Sequence, residues 1–392
     1  MKSCRAALRW LYTPANAVPV CLAAGFLLPS NAAWSTFFYI VGVPMVLLRI
    51  GRGWRPDWSN RPAMAMLGLW GWSSLTILWE LNNSHHGDGH VYWLICSVCT
   101  LALLLGFFMA VQDEPATTER VITVVIWCGA SMAALSIFLF LVCQEWSGRL
   151  GGWGTFHMPV LGAAVALVCI LLTLSRLAMG RLYYLAALLP LLVYMPLNGS
   201  RTALLALVCA VLLVATGSRR AFYYLVFAGL AVLVFCAGLY ELHFGWVDGF
   251  IKAAMARGTD CHVTIWRTAW GLFLQRPLFG YGPSARLPIL PHSACPAYPS
   301  PHNLYLSLLV YSGLIGFALF WVCEAVLLRH LLRLRTGLQR RFGLAVMLVP
   351  LITGLTDLTQ VIKGPSPLWY IIWLPLLLVA GLPGSASDTE RR

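Results

Sequence analysis

The stretch NGSRTALLALVCAVLLVATGSRR, residues 198–220, decides how this sequence is interpreted. Its middle is apolar and close to the length of about 20 residues that an α-helix needs to cross a membrane. Comparable runs recur along the 392-residue chain, which is 59% hydrophobic and only 10% charged, with a mean hydropathy of +0.77. The sequence therefore predicts an all-α, polytopic membrane protein and excludes a soluble domain.

We expect about twelve transmembrane helices, separated mostly by short connections. Nine of them fall in residues 1–242 and three in residues 303–392, which end in a cytoplasmic tail, while residues 243–302 form one long loop. The expected spans are about 15–30, 33–50, 63–81, 91–111, 121–143, 159–175, 182–197, 202–217, 221–242, 303–327, 342–358 and 367–383. The long loop is the place where an extramembrane site has room to form.

The basic residues orient the chain. With the N-terminus in the cytoplasm, most of the 27 lysines and arginines fall in cytoplasmic loops, as the positive-inside rule requires. This topology accounts for the net charge of +13 without a nucleic-acid partner. The long loop then lies on the outer side of the membrane.

Several of the basic residues that do not follow the positive-inside rule lie in that loop: Arg257, Arg267, Arg276 and Arg286. Residues 246–257 and 262–275 have the apolar spacing of helices that lie on a membrane surface. In the second stretch the expected apolar stripe consists of Val263, Trp266, Trp270 and Leu274. Residues 276–288 then break the helix with prolines and glycines, which predicts a turn.

Arg201 lies at the outer end of its span, where a basic residue is least expected. It is either an arginine that extends to the membrane interface or part of an anion-binding site. A guanidinium makes bidentate contacts to phosphate and always keeps its charge, and the start of a helix adds a positive dipole. Asn198, just before it, is expected to line the same spot.

His302 and Asn303 lie at the outer end of the tenth expected span. A neutral imidazole there can act as a general base near pH 7, although an ordinary loop histidine has the same signature. Asp357, at the outer end of the eleventh span, either orients His302, pairs with an arginine, or caps a polar helix end.

Topology brings Arg201, Arg267 and His302 to one membrane face, where carboxylates are few. This combination suits a lipid-linked anionic substrate, with guanidinium groups in place of a metal ion. The substrate-binding residues expected around them are Asn198, Arg257, Arg276, Arg286, Asn303 and Asp357.

Two other groups of residues are weaker signals. Residues 81–90 contain His85, His86, Asp88 and His90, but their spacing matches no tight metal motif, and we expect neither a metal nor another cofactor. Cys261 and Cys295 share the long loop, and in an oxidising compartment they either form a disulfide or stay two unpaired thiols.

Three motifs in this order, NGSRTALLALV, TIWRTAWGLFLQRPLFGYGPSARLP and PHNLYLSLLVYSGLIGFALF, resemble the O-antigen ligase family of Gram-negative inner membranes. The resemblance is strong over residues 195–330, and in the first half of the chain it rests on the number of spans. The superfamily also contains O-antigen polymerases and some O-linked protein glycosyltransferases, which these motifs separate less well.

The resemblance implies a GT-C-like fold in the bacterial inner membrane and an inverting, metal-independent glycosyltransferase. Such an enzyme moves a polysaccharide from undecaprenyl diphosphate to a sugar hydroxyl of lipid A–core on the periplasmic face, so the expected partners are these two molecules and the surrounding membrane lipids. In the family, the residues that match Arg201, Arg267 and His302 are the functional ones, and Asp357 matches an acidic position more loosely.

Three alternatives stay open at this point. An O-antigen polymerase uses the same donor but extends another lipid-linked glycan, and a protein glycosyltransferase modifies a protein. A transporter of lipid-linked sugars belongs to a different class and would carry internal repeats and ionisable residues at mid-membrane depth. The expected spans are nearly free of charge and the charged cluster lies at one face, which favours an enzyme.

Overall fold

The computed structural model describes residues 10–79, 89–143, 149–215, 219–242, 260–288, 299–334 and 336–382. All regular secondary structure in these ranges is helical, which confirms the predicted all-α class. The helices are α1 (Pro14–Leu27), α2 (Asn31–Gly51), α3 (Arg61–Leu75), α4 (His90–Asp113), α5 (Thr117–Val142), α6 (Pro159–Ala178), α7 (Leu185–Asn198), α8 (Arg201–Ala215), α9 (Arg219–Leu242), α10 (Asp260–Gln275), α11 (Leu304–Leu332), α12 (Gly337–Thr353) and α13 (Leu374–Ala380). A π-helical segment, Trp369–Trp373, leads directly into α13.

Each of the twelve expected spans coincides with one of these helices. Five of the helices, α2, α4, α5, α6 and α11, are long and apolar enough to cross a membrane by themselves. The other apolar stretches are shorter: Pro14–Leu27, Leu182–Asn198, Arg201–Val214, Phe222–Phe235 and Trp369–Ala380. The chain is thus a multi-pass membrane protein, and a total of twelve crossings stays a prediction.

Helix α6 forms the centre of the bundle. Every side chain from Gly162 to Leu177 is buried, since this helix is apolar on all sides. It packs against α5, α7, α9 and α12, and α8 packs in turn against α12. This central position matters for the site because α6 and α8 begin, and α12 ends, near the same face of the bundle.

Helix α11 is broken at Gly313, whose φ of 66° and ψ of −170° are not helical. The rings of Tyr305 and Trp321 stack with their centroids 5.9 Å apart. In a straight helix these two residues would be separated by about 24 Å along the axis. Residues 304–312 therefore fold back along residues 314–332 as a short helical arm.

The loop after α10 fills the break in α11. The backbone N–H groups of Tyr281 and Gly282 donate to the carbonyls of Val310 and Tyr311 at 2.8 and 2.9 Å, and Leu314 N–H donates to Pro277 O at 2.7 Å. These bonds satisfy the backbone groups that the break leaves without helical partners. Gly280 and Gly282 have positive φ values of 69° and 86°, as the predicted turn requires.

Helix α10 has two apolar faces instead of the single stripe that the sequence predicts. Its buried face, Ile265, Ala269 and Phe273, packs against the short arm of α11. Val263, Trp270 and Leu274 lie on the opposite side and are exposed, which leaves an apolar face for the membrane surface. The surface position itself stays a prediction, and the other expected interfacial stretch, residues 246–257, lies outside the described residues.

Candidate active site

Helices α8 and α12 run antiparallel, so the first turn of α8 meets the residues that follow α12. The hydroxyls of Thr202 and Thr356 share a hydrogen bond of 2.7 Å. Thr356 Oγ1 also donates to Asp357 Oδ2 at 2.6 Å. Because Arg201 directly precedes Thr202, this contact places Arg201 next to the segment that holds Asp357.

The start of α11 is fixed to the same segment. Leu304 N–H donates to Gly354 O at 2.7 Å. Asn303 caps α11 by accepting a hydrogen bond from Leu306 N–H at 3.0 Å, and its Nδ2 donates to Leu355 O at 2.8 Å. The amide of Asn303 thus bonds to the protein itself and ties His302 to the Asp357 segment, and its expected contact with a substrate stays a prediction.

His302 has an unusual backbone conformation. Its φ of 49° makes it the one non-glycine residue with positive φ in the part of the chain that the structure describes. Such a conformation costs on the order of 1–3 kcal/mol and is found mainly where the surrounding structure has a functional reason to hold it. The imidazole lies within electrostatic reach of one residue that follows α12 and of one residue of α10.

Those neighbours are Asp357 and His262, a residue of the first turn of α10. Burial lowers the pKa of His302, the carboxylate of Asp357 opposes this by raising it, and the charge of His262 lowers it further. Burial also raises the pKa of Asp357, while the hydrogen bond from Thr356 and the two histidines lower it. A lowered pKa keeps His302 neutral near pH 7, so that its ring can accept a proton.

His262 is a part of this cluster that sequence reasoning missed. Its Nδ1 is buried and has no hydrogen-bond partner among the described residues, and its ring lies 5.7 Å from that of Trp266. The only sequence signal was its place five residues before Arg267 on the same expected helix. Thr202 and Thr356 were missed as well, since nothing local marks two distant threonines as a pair.

The two arginines expected to be catalytic lie in different settings. Arg201 is exposed at the first residue of α8, directly after a turn in which Gly199 has a φ of 66°. Arg267 lies on the exposed face of α10 with Val263 and Trp270, opposite the face that packs on α11. The structure thus brings together the segments of Arg201, His302 and Asp357, and it places Arg267 on the exposed face of α10.

Asn198 is buried at the end of α7, and its expected contact with the substrate stays a prediction. Its side chain is fully buried, and its Nδ2 donates to Leu150 O and Pro159 O at 3.0 and 2.7 Å. Arg149, which the sequence did not single out, donates from Nε to the Asn198 carbonyl at 2.8 Å. Asn198 therefore holds the loop before α6 against the turn that presents Arg201.

The remaining basic candidates are spread out. Arg276 is exposed, and its guanidinium lies 4.7 Å from the ring centre of Tyr281. It stands about 20 Å from His262 along the axis of α10, too far to share a small substrate group. Arg286 is exposed, and Arg257 lies outside the described residues.

Two further expectations concern partly described segments. His85, His86 and Asp88 lie outside the described residues, and within the described ones no group of three potential metal ligands exists. Cys261 is disulfide-bonded. Because Cys295 lies outside the described residues, the Cys261–Cys295 pairing stays a prediction.

Comparisons with known proteins agree with this geometry. The sequence model of the family described as O-antigen ligase matches residues 161–321, which include α8, α10 and most of α11. The chain is also similar to an O-antigen ligase of Pseudomonas aeruginosa, with 25% identity over 369 residues that cover 88% of this chain and 82% of the relative. The match spans the segments of Arg201, His262 and His302. In sequence, the chain is therefore similar to O-antigen ligases, both over the segments that form this site and over most of its length.

Proposed function

We propose that this protein is an O-antigen ligase that transfers a polysaccharide from undecaprenyl diphosphate to a sugar hydroxyl of lipid A–core. The single observation that carries the proposal is that the half-buried groups His302 and Asp357 interact beside the helix start that presents Arg201. A neutral base and a fixed cation at one end of a membrane bundle suit an acceptor hydroxyl and a lipid-linked diphosphate.

The diphosphate is held by Arg201 and Arg267. The guanidinium of Arg201 adds its charge to the positive end of the α8 dipole, and both favour an anion. Arg267 lies among exposed apolar residues on α10, surroundings that suit a residue that binds the headgroup of a polyprenyl diphosphate at a membrane surface. Together they stabilise the negative charge that grows on the leaving diphosphate, so that the site needs no metal ion.

His302 removes the proton of the acceptor hydroxyl as its oxygen attacks the anomeric carbon. The attack comes from the side opposite the diphosphate, so the bond to the diphosphate breaks and the configuration inverts. Asp357 stabilises the imidazolium that forms, in the way a carboxylate supports a histidine base. Thr202 and Thr356 keep that carboxylate in place where α8 and α12 meet.

The membrane arrangement belongs to the same proposal. We place the start of α8, the end of α12 and the loop around α10 on the periplasmic side of the inner membrane, within a GT-C-like bundle of about twelve transmembrane helices. The bias of basic residues toward the opposite loops supports this orientation.

The structure favours an enzyme over a transporter. A transporter places several ionisable residues at mid-membrane depth. In the five helices that can each cross a membrane, Glu324 in α11 is the one charged residue away from a helix end. One buried carboxyl group does not form an ion or substrate pathway, whereas the polar cluster at the end of the bundle forms a site.

The proposal is tested by transfer in vitro. Purified protein is incubated with undecaprenyl-diphosphate-linked glycan, lipid A–core and excess chelator, and glycan on lipid A is followed by gel shift. Arg201→Ala is expected to lose about 10²–10³-fold of the rate. Arg219→Ala, an exposed arginine at the start of α9, is the matched control and keeps the rate. Longer glycans on the polyprenyl carrier, with none on lipid A, would mean a polymerase instead.

A further inference from the structure

A second cleft lies at the other end of the helix bundle from His302 and Asp357. It is formed by the first turns of α5 and α12 and the last turns of α6 and α13. The two ends of α6 give the distance between the cleft and the candidate active site. Its first residue, Pro159, accepts a hydrogen bond from Asn198 near the candidate site, and Arg176 in the cleft lies about 26 Å further along the helix axis. The cleft is therefore separate from the proposed transfer reaction.

The cleft is amphipathic, with its polar groups at one end. The empty space in it is about 640 Å³, open mouth included. Its polar lining residues lie in the terminal turns: Thr118, Glu119, Ser175, Arg176 and Gln339. The walls one to two turns deeper are apolar: Ile122, Leu171, Leu172, Phe342, Val346 and Leu378.

Arg176 is the decisive residue of this cleft. It is only 2% exposed, and its Nη1 donates to Glu119 Oε1 and Oε2 at 3.0 and 2.7 Å. Its Nε is buried without a hydrogen-bond partner among the described residues, and the same holds for the hydroxyl of Thr118, which is 7% exposed. Two buried donors without acceptors are costly, and an oxyanion at the mouth would satisfy both.

The charge at the mouth is positive. Glu119 also lies 3.8 Å from Arg181, so one carboxylate faces two guanidinium groups. Arg340 and Arg341 follow the lining residue Gln339 in the first turn of α12. A guanidinium at the polar end of an apolar cleft matches a phosphate that carries hydrocarbon chains.

We propose that this cleft binds an anionic phospholipid of the membrane leaflet opposite the candidate active site. The phosphate accepts hydrogen bonds from Arg176 Nε and Thr118 Oγ1, and one acyl chain lies along the wall near Ile122 and Phe342. The predicted orientation places this end of the bundle on the cytoplasmic side. A zwitterionic lipid with a quaternary ammonium group is a poorer ligand, because its cation meets the basic mouth.

The test is native mass spectrometry of the purified full-length protein, delipidated and then titrated with phosphatidylglycerol or phosphatidylcholine in mixed micelles. Phosphatidylglycerol is expected to bind at lower concentration. Arg176→Gln should weaken it about tenfold, since a charge-assisted hydrogen bond is lost. Arg181→Gln is the matched control, because Arg181 contacts the same carboxylate but does not line the cleft, and it should change the affinity by less than about twofold.

Two further variants keep the test decisive if Arg176→Gln does not fold. Thr118→Val removes a buried hydroxyl with little change of shape and should weaken phosphatidylglycerol alone. Met179→Trp, at an exposed position of the mouth, should block lipid entry. Equal phosphatidylglycerol binding by the wild type and these folded variants would overturn the proposal. So would displacement of phosphatidylglycerol by equimolar glycerol 3-phosphate, because the ligand would then be a soluble phosphate and not a lipid.

Discussion

At the scale of single residues, the backbone of His302 decides which side chains the position tolerates. Its φ of 49° lies in the left-handed region, which asparagine enters readily and β-branched residues do not. We expect His302→Asn to unfold within a few degrees of the wild type and His302→Val to lose about 1–3 kcal/mol of stability. Thermal unfolding in detergent measures this, and equal melting temperatures for the two variants would contradict the strain. Both variants should lose transfer.

The pH dependence of transfer tests the groups around His302. Transfer needs the neutral imidazole, so the rate should rise with pH as His302 loses its proton, at a pH below the usual histidine range because burial lowers the pKa. Asp357→Asn removes the group that raises this pKa, so the rising limb should move to lower pH. His262→Gln removes the group that lowers it, so the limb should move to higher pH.

These opposite shifts distinguish an electrostatic effect on the pKa of His302 from a general loss of structure in the variants. A structural role for either residue would reduce the rate equally at every pH, without moving the limb. Arg219→Ala serves again as the control whose pH profile stays that of the wild type. A shift of both variants in the same direction would refute the arrangement of His302 between a carboxylate and a second imidazole.

At the scale of elements, the contact between the 277–282 loop and the break in α11 positions α10. A Cβ on Gly313 would lie 2.2 Å from Leu278 O, and one on Gly280 would lie 2.7 Å from Gly313 N. Both glycines also have positive φ, so an alanine is strained at either position. The loop must then move away from α11, and α10 moves with His262 and Arg267.

We therefore expect Gly313→Ala and Gly280→Ala each to lower stability by at least about 1–3 kcal/mol and to reduce transfer at least tenfold. Gly271→Ala is the matched control, because it lies on α10 with nothing within 4 Å of an added Cβ. Melting temperatures and initial rates are compared for the three variants. Wild-type behaviour of Gly313→Ala would show that the break in α11 has no such role.

At the scale of the whole molecule, the bundle has a candidate transfer site at one end and an amphipathic cleft at the other. The buried helix α6 links them, and the predicted topology assigns them to opposite sides of the membrane. Cysteine labelling in intact spheroplasts tests this assignment in a Cys143→Ser background, since Cys143 is exposed. Arg286→Cys should react with an impermeant maleimide from outside, and Ser59→Cys should react only after lysis. The reverse pattern would invert the topology.

The sequence by itself determined the class of this protein and the position of its helices. Apolar runs long enough to cross a membrane are local features, so all twelve expected spans coincide with helices in the structure. Arg201 and His302 could be singled out for the same reason, because a cation or an imidazole at the outer end of an apolar run departs from a local rule.

Only the tertiary structure decided how these parts meet. Packing between distant segments brings His262 to His302 and Asp357, turns Asn198 and Asn303 into internal supports, and directs Arg267 outward. The break at Gly313 is also tertiary, since its backbone groups find partners some 30 residues earlier, in the 277–282 loop. Hydropathy and charge report whether each helix segment prefers lipid or water, which is a local property. A site depends instead on which helix ends pack together, and that is decided by contacts between segments distant in sequence.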